Sequence, residues 1–383
     1  MEIPIDGELT ARLALNRVAG VGSVTYLNLL QYFDAASAIF NAKRQQLSCV
    51  PGVTPEVADA IVRGIEATNV AEDIRWLQED ASHHVIYLTQ ADYPVLLAQI
   101  HRPPPVLFLK GDVSLLHTVQ LAIVGSRNPT PGGLENARAF ARNLASTGLT
   151  ITSGLATGID GAAHQGALDV TSVASEMTHK GRTIAVAATG LDRIYPSRHR
   201  QLAHNIAQHG LLVSEFPVGT GPLQANFPRR NRLISGLSIG VLVIEAARRS
   251  GSLITARYAM EQGREVFAIP GSIHSPLSRG CHWLIRQGAK LVETAEDIAE
   301  EVLPILPVVY EEEVTKADQA EVHSGLSKAQ QELLDAVGFD PVSLDILLSR
   351  TGLEIDELSA SLSEIELKGL IDVLPGGLFS RCK

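Results

Sequence analysis

From Val119 onward the hydrophobic positions switch period repeatedly. Short apolar runs rich in β-branched residues (VQLAIVGSR, LTITSG, RTIAVAATG, LLVSEF, IGVLVIEA and REVFAIPG) alternate with stretches whose apolar residues recur at helical spacing, such as PGGLENARAFARNLASTG, SRHRQLAHNIAQHG and SLITARYAMEQG. Continuous apolar strands separated by amphipathic helices predict a mostly parallel sheet covered on both faces, an extended, doubly wound Rossmann-like α/β domain. Ligands in such sheets bind at the carboxyl ends of the strands.

The flanks follow other patterns. LTARLALNRVAGVGSVTYLNLLQYF and LSCVPGVTPEVADAIVRGI each place a turn (Gly20-Val21-Gly22 and Pro51-Gly52-Val53) between helical segments. This predicts an N-terminal helical domain of the SAM or helix-hairpin-helix kind over residues 1–70, whose helix starts either hold a phosphate or simply pack. Residues 71–303 then carry the sheet, with its core at 119–295. PILPVVYEEEVTKADQAEVHSG reads as an acidic linker over 304–325. In 326–383 three helical patterns precede IDVLPGGLFSRC, two short strands around Pro375-Gly376-Gly377, which predicts a winged helix. Glu357, Glu364 and Glu366 on its last helix favour contact with protein over nucleic acid.

Charge alters this picture once it is divided. The chain of 383 residues has a formal net charge of −10. Residues 119–295 nevertheless hold 18 Lys and Arg against 10 Asp and Glu, while 296–335 hold 11 acidic and 2 basic residues. A basic middle suits a polyanion. The three cysteines, Cys49, Cys281 and Cys382, are far apart, and the histidines show no metal-binding spacing. A reducing cytosol without disulfides, metal or other cofactor is expected. No apolar run reaches the roughly 20 residues that cross a bilayer, and the N-terminus has no basic, apolar leader pattern.

The candidate chemistry lies at the strand ends. Gly125-Ser126-Arg127 closes the first strand of the core and opens onto a helix, so free amides, a hydroxyl and a guanidinium would together form an anion site. Ser153 and Gly154 close the next strand, and YPSRHR adds Arg198. In NFPRRNRLISG, Phe227 precedes Arg229, Arg230, Asn231 and Arg232, a ring for stacking beside forks for phosphate oxygens. Ser250 and Ser252 read as helix N-caps, and Asp160 and His164, one helical turn apart, as capping or packing residues. No P-loop and no G-x-G-x-x-G occurs. The constellation describes a phosphate-lined cleft fit for a single strand.

In order along the chain, IVGSR, TSGLATGIDGAAHQGAL, IAVAATGLDRIYPSRH, LLVSEFPVGT, NFPRRNRLISGLS, VLVIEAARRSGSLITARYAMEQGREVFAIPG and SRGCHWLIRQGAKLV resemble the DNA-processing protein A family (DprA, also called Smf) through almost all of 119–295. The resemblance implies a bacterial cytoplasmic protein that binds single-stranded DNA on its Rossmann-like domain, forms a homodimer through that domain, shields incoming DNA and loads RecA onto it in natural transformation. It implies no enzyme activity, and it puts Arg127, Arg198 and Arg229-Arg230-Asn231-Arg232 along the DNA cleft. The chain departs from the family at residues 170–181, where VTSVASEMTHKG is longer than the usual turn. The alternative is a nucleotide-binding or nucleotide-hydrolysing enzyme on the same type of sheet, against which stands the missing P-G-G-x-G-T-x-x-E motif.

Overall fold

The computed structural model describes residues 7–173, 182–302, 333, 336–337, 342–353, 355–367, 371–374 and 378–381. Contacts divide the chain into two units, residues 1–310 and 311–383.

The first unit is organised by a nine-stranded sheet. Its strands are β1 His83–Tyr87, β2 Val106–Gly111, β3 Gln120–Gly125, β4 Thr150–Ser153, β5 Thr183–Val186, β6 Leu211–Ser214, β7 Gly240–Ile244, β8 Glu265–Ala268 and β9 Lys290–Leu291. They lie in the order β1-β2-β6-β5-β4-β3-β7-β8-β9. The pairings β1–β2 and β2–β6 are antiparallel and all others parallel. Alternation of side chains along a strand sends Leu121 and Ile123 to one face and Ala122 and Val124 to the other, and each pair joins a separate apolar core. Both faces of β3 are thereby covered, which is why its sequence is apolar from Leu121 to Val124.

Fourteen helices with described bounds belong to this unit. Six precede the sheet: α1 Gly7–Arg17, α2 Ser23–Phe33, α3 Ala36–Phe40, α4 Arg44–Leu47, α5 Pro55–Val62 and α6 Ala71–Glu79. The others are α7 Val95–Ala98, α8 Pro131–Ser146, α9 Ile159–Val173, α10 Arg200–His209, α11 Asn226–Leu237, α12 Ser252–Glu261, α13 Arg279–Arg286 and α14 Ala295–Val302. The N-terminal helices share one core with the sheet, since Leu13, Leu29, Ile61 and Trp76 cluster with Phe108, Ala185 and Leu212. At the second of the two helical turns the Thr54 hydroxyl accepts from the Val57 amide, so α5 starts capped, whereas the Gly22 start of α2 has no side-chain cap. The first four residues of the long 170–181 segment simply extend α9, and 174–181 lie outside the described residues.

In the second unit, β10 Val342–Ser343, β11 Ile371–Leu374 and β12 Leu378–Arg381 form a small sheet in the order β10-β12-β11 beside α15 Leu344–Thr351 and α16 Ile355–Leu367. This is the winged-helix pattern. Glu357, Glu364 and Glu366 are exposed on α16. The 304–325 segment and the Pro375-Gly376-Gly377 turn fall outside the described residues. No described helix is long and apolar enough to cross a membrane, and no group of acidic, His and Cys residues among those described could hold a metal ion.

Candidate functional site

The sheet changes direction at β3. Strands β4, β5 and β6 step away on one side of it and β7, β8 and β9 on the other. Two crossovers leaving in opposite directions open a crevice at the carboxyl ends of β3 and β7. A cleft of about 690 Å³ lies there, walled by Gly125, Ser126 and Arg127 after β3, by Asp160 on α9, by Phe227, Arg230 and Asn231 on α11, and by Arg249 and Ser250 after β7. A smaller adjoining recess of about 160 Å³ adds Gly154 and Arg198 and shares Arg127, Tyr195, Phe227 and Arg230.

The arginine run does not sit in a strand-end loop. It occupies the first two turns of α11, which begins at Asn226. Helical geometry therefore turns its members to different sides. Arg229 and Arg232, three positions apart, both reach the buried Glu215 carboxylate, at 2.9 and 2.5 Å. Arg232 also donates to the Arg102 carbonyl at 2.7 Å. These two arginines brace α11 against the end of β6 and line neither cavity.

Arg230 points the other way, to the floor of the cleft. It is 3% exposed, and its Nη1 donates to the Val186 carbonyl at 2.5 Å. Its Nε has no hydrogen-bond partner among the described residues. Burial lowers its pKa to about 10, against the pull of Asp160, so it remains a cation at neutral pH. Asp160 is raised by burial in turn, with Arg230 the largest opposing influence, and it accepts from the Ala156 amide at 3.3 Å. The guanidinium lies where a Cβ on residue 154 would stand, within 2.7 Å of its Cζ, so only glycine leaves it room. Gly158, at φ +82°, lets the α9 loop meet the Ser126 and Arg127 backbone.

Exposed cations and rings complete the cleft. Arg127 is exposed and lies 5.5 Å from the Phe227 ring centroid. Tyr195 meets Phe227 at 5.5 Å between centroids and 58° between planes. Arg198 is exposed on a short 3-10 turn, held by the His199 ring, whose Nδ1 pairs with the Leu155 carbonyl at 2.9 Å. Asn231 is half-buried and donates to the Gly251 carbonyl at 3.4 Å. Ser153 is fully buried and spends its hydroxyl on the Ile123 carbonyl, behind the cleft.

The free helix start anticipated after Gly125-Ser126-Arg127 is already occupied. Thr130 caps α8 through Gly133, and the Glu245 carboxylate accepts from the Thr130 amide at 2.8 Å and from its hydroxyl. An internal carboxylate thus fills the place of an external anion, and the Ser126 hydroxyl accepts from the Asn128 amide at 3.1 Å. Arg127 is the group of this loop left for a ligand. At the start of α12 Gly251 takes the N-cap position, while the Ser250 hydroxyl, one residue earlier, accepts from the Ser252 amide at 3.3 Å and so partly fills the capping role expected of the serines. Three further residues belong to the site or its frame: Tyr195 within YPSRHR, Arg249 after β7, and Glu215 directly after β6, an acid beside an apolar strand that demands a buried cation.

Beneath the floor, His164 is completely buried. The Thr183 hydroxyl donates to the Ile151 carbonyl, so the His164 Nδ1–H must donate to Thr183 Oγ1, at 2.7 Å. Burial, with His199 and Arg230 adding to it, pushes the His164 pKa from 6.5 to about 3. The unfolded chain gains this proton below 6.5 and the folded chain only near 3. The contribution is therefore neutral above the unfolded value, and stability falls between the two by up to about 1.4 kcal/mol per pH unit. His164→Asn, which keeps a donor toward Thr183, is expected to lose less stability than the unchanged protein in thermal melts taken at about pH 7 and about pH 5.

A family model described as DNA recombination-mediator protein A matches residues 84–303, which take in the whole crevice. The chain belongs to this family. A second model, described as the DprA winged helix domain, matches residues 316–377. Protein Smf of Escherichia coli is 46% identical over 313 residues, 81% of this chain and 80% of its own. Protein Smf of Synechocystis is 36% identical over 400 residues, 96% of this chain and 98% of its own. The X-ray structure of DNA processing protein A from Streptococcus pneumoniae superposes with a TM-score of 0.67 at 36% identity, covering 79% of this chain and 99% of that one. A Helicobacter pylori structure described by the single-stranded DNA binding mode of DNA processing protein A gives 0.51 at 30% identity, covering 58% and 96%.

Proposed function

We propose that the chain binds single-stranded DNA in the crevice at the ends of β3 and β7, shields it, and loads RecA onto it in natural transformation and homologous recombination. The observation that carries this reading is a cleft and its adjoining recess that together hold Arg127, Arg198, Arg230 and Arg249 with the Phe227 and Tyr195 rings. Forks for phosphates beside planes for bases are what a single strand requires, and a duplex hides its base faces. Gly125, Ser126, Gly154 and Asn231 would form the walls, while Ser153, Arg229 and Arg232 would hold the frame behind them. The printed description of the Helicobacter pylori structure supports the same ligand.

On this proposal the cleft binds its ligand and does not transform it. Ser250 and Ser252, the hydroxyls nearest the start of α12, hydrogen-bond each other at 2.7 Å. RecA and a second copy of the chain are the partners, the copy joining through the sheet domain. In the division of labour we propose, residues 1–70 support the sheet domain of 71–303, the acidic 304–325 is a spacer, and 326–383 contacts protein. The cytoplasm is the compartment in which these partners meet.

Fluorescence anisotropy with a labelled oligonucleotide, single-stranded and then duplex, tests the reading. The expected result is tighter binding of the single strand, weakening with salt by a log–log slope of about −0.7 for each phosphate held. Equal affinity for both forms, or saturable binding of mononucleotides that displaces the strand, would favour the nucleotide-enzyme alternative.

A further inference from the structure

We propose that the single-strand track continues beyond the cleft into a second groove, where Arg248, Arg249 and Arg257 hold phosphates and Trp283 stacks on a base. This rests on the reading of the first cleft as a single-strand site. The second groove encloses about 320 Å³. Its wall includes Arg249, Ser250, Gly251 and Ile254, which also wall the first cleft, so the two spaces meet along the loop between β7 and α12. Beyond that shared wall stand Arg248, Arg257 and Trp283.

Three features give this groove a polyanion as occupant. Arg248, Arg249 and Arg257 are all exposed, and none pairs with a carboxylate among the described residues. Unpaired like charges brought close together repel, and a bound phosphate chain relieves that repulsion. The start of α12, where the Ser250 hydroxyl takes up the Ser252 amide at 3.3 Å, adds its partial positive charge beside the groove. Trp283 packs one side on the sheet core and lines the groove. The pattern of the first cleft, guanidinium forks beside an aromatic plane, is repeated on the far side of a shared wall. A strand repeats phosphate and base in the same way, whereas an acidic peptide offers charge without planes for the tryptophan.

The full chain tests this with oligothymidylates of increasing length, read by anisotropy and by intrinsic tryptophan emission. Two tryptophans are present, and Trp76 is buried and stacked on His83 at 4.0 Å, so a quench on binding reports Trp283. Affinity is expected to climb with length until both grooves are covered, with quenching only by the longer strands. Arg248→Ala/Arg257→Ala should keep the affinity for the shortest binding strand, lose the gain with length, and flatten the salt slope by about 1.4. Trp283→Phe should bind long strands without the quench.

Arg127→Ala serves as the control, weakening every length. If it does so while Arg248→Ala/Arg257→Ala matches the unchanged protein throughout, the second groove is off the track and this proposal alone falls. If the unchanged protein binds no strand, the first cleft falls and this proposal with it. A flat length series with binding and quenching by an oligoglutamate would make the groove a protein site and overturn the proposal. So would a length series left intact by a double variant that loses only self-association.

Discussion

Arg127→Ala is expected to bind a single-stranded oligonucleotide about ten- to a hundredfold more weakly than the unchanged protein, the loss of one charge-assisted contact worth about 1.5–3 kcal/mol. The effect is large because Arg127 is the group the β3 loop leaves for a ligand. The neighbouring helix start is filled by Thr130 and Glu245, and the Ser126 hydroxyl is turned into its own loop. Arg127 also stands over Phe227, so its removal strips one wall from the stacking ring. Stability should hardly change, since the side chain is exposed and enters no ion pair among the described residues. Arg127→Lys separates the two contributions. A point charge restores the salt dependence but lacks the fork and the flat face, so it should recover only part of the affinity. Anisotropy titrations at two salt concentrations measure both. An Arg127→Ala protein that binds like the unchanged one would remove the cleft from consideration.

Glu215→Ala is expected to lower the melting temperature by roughly 6–20 °C, from about 3–5 kcal/mol lost when a buried ion pair is left with one member. The Glu215 side chain is 1% exposed and holds Arg232, itself 10% exposed, at 2.5 Å. Without the carboxylate, the Arg232 guanidinium keeps, among the described residues, the Arg102 carbonyl. Arg229, half exposed and resting near the Phe216 ring, can turn to water. The damage should therefore come mainly through Arg232. Glu215→Ala/Arg232→Met, which removes both charges and leaves an apolar side chain, should recover much of the loss. Differential scanning calorimetry of both variants decides this, and a double variant no more stable than the single one would show that the pair is not the cause.

Both results turn on a distinction that adjacent letters conceal. RRNR reads as one cationic cluster, and its charge is a local property that the chain states outright. What each guanidinium meets depends on a helix starting at Asn226, which sends Arg230 to the cleft floor and Arg229 and Arg232 to Glu215. The start is hard to read because Pro228, in the first turn, resembles a loop residue as much as an early helical one. The same limit applies after β3. Gly125-Ser126-Arg127 is a plausible anion turn by its letters, yet Glu245, more than a hundred positions away, supplies the anion.

The elements were legible because burial on both faces of a parallel sheet leaves its mark in every strand, and the winged helix because its helices and closing strands keep separate periods. The sequence by itself determined the strands and helices, the basic middle and the strand ends where chemistry could gather. Only the tertiary structure decided which arginines face a ligand, which brace the frame, and that Tyr195 and Arg249 complete the wall. Secondary structure follows from neighbours a few positions apart, whereas the partner of a charge is chosen by proximity across the fold, where desolvation makes an internal carboxylate and an external phosphate compete for the same guanidinium.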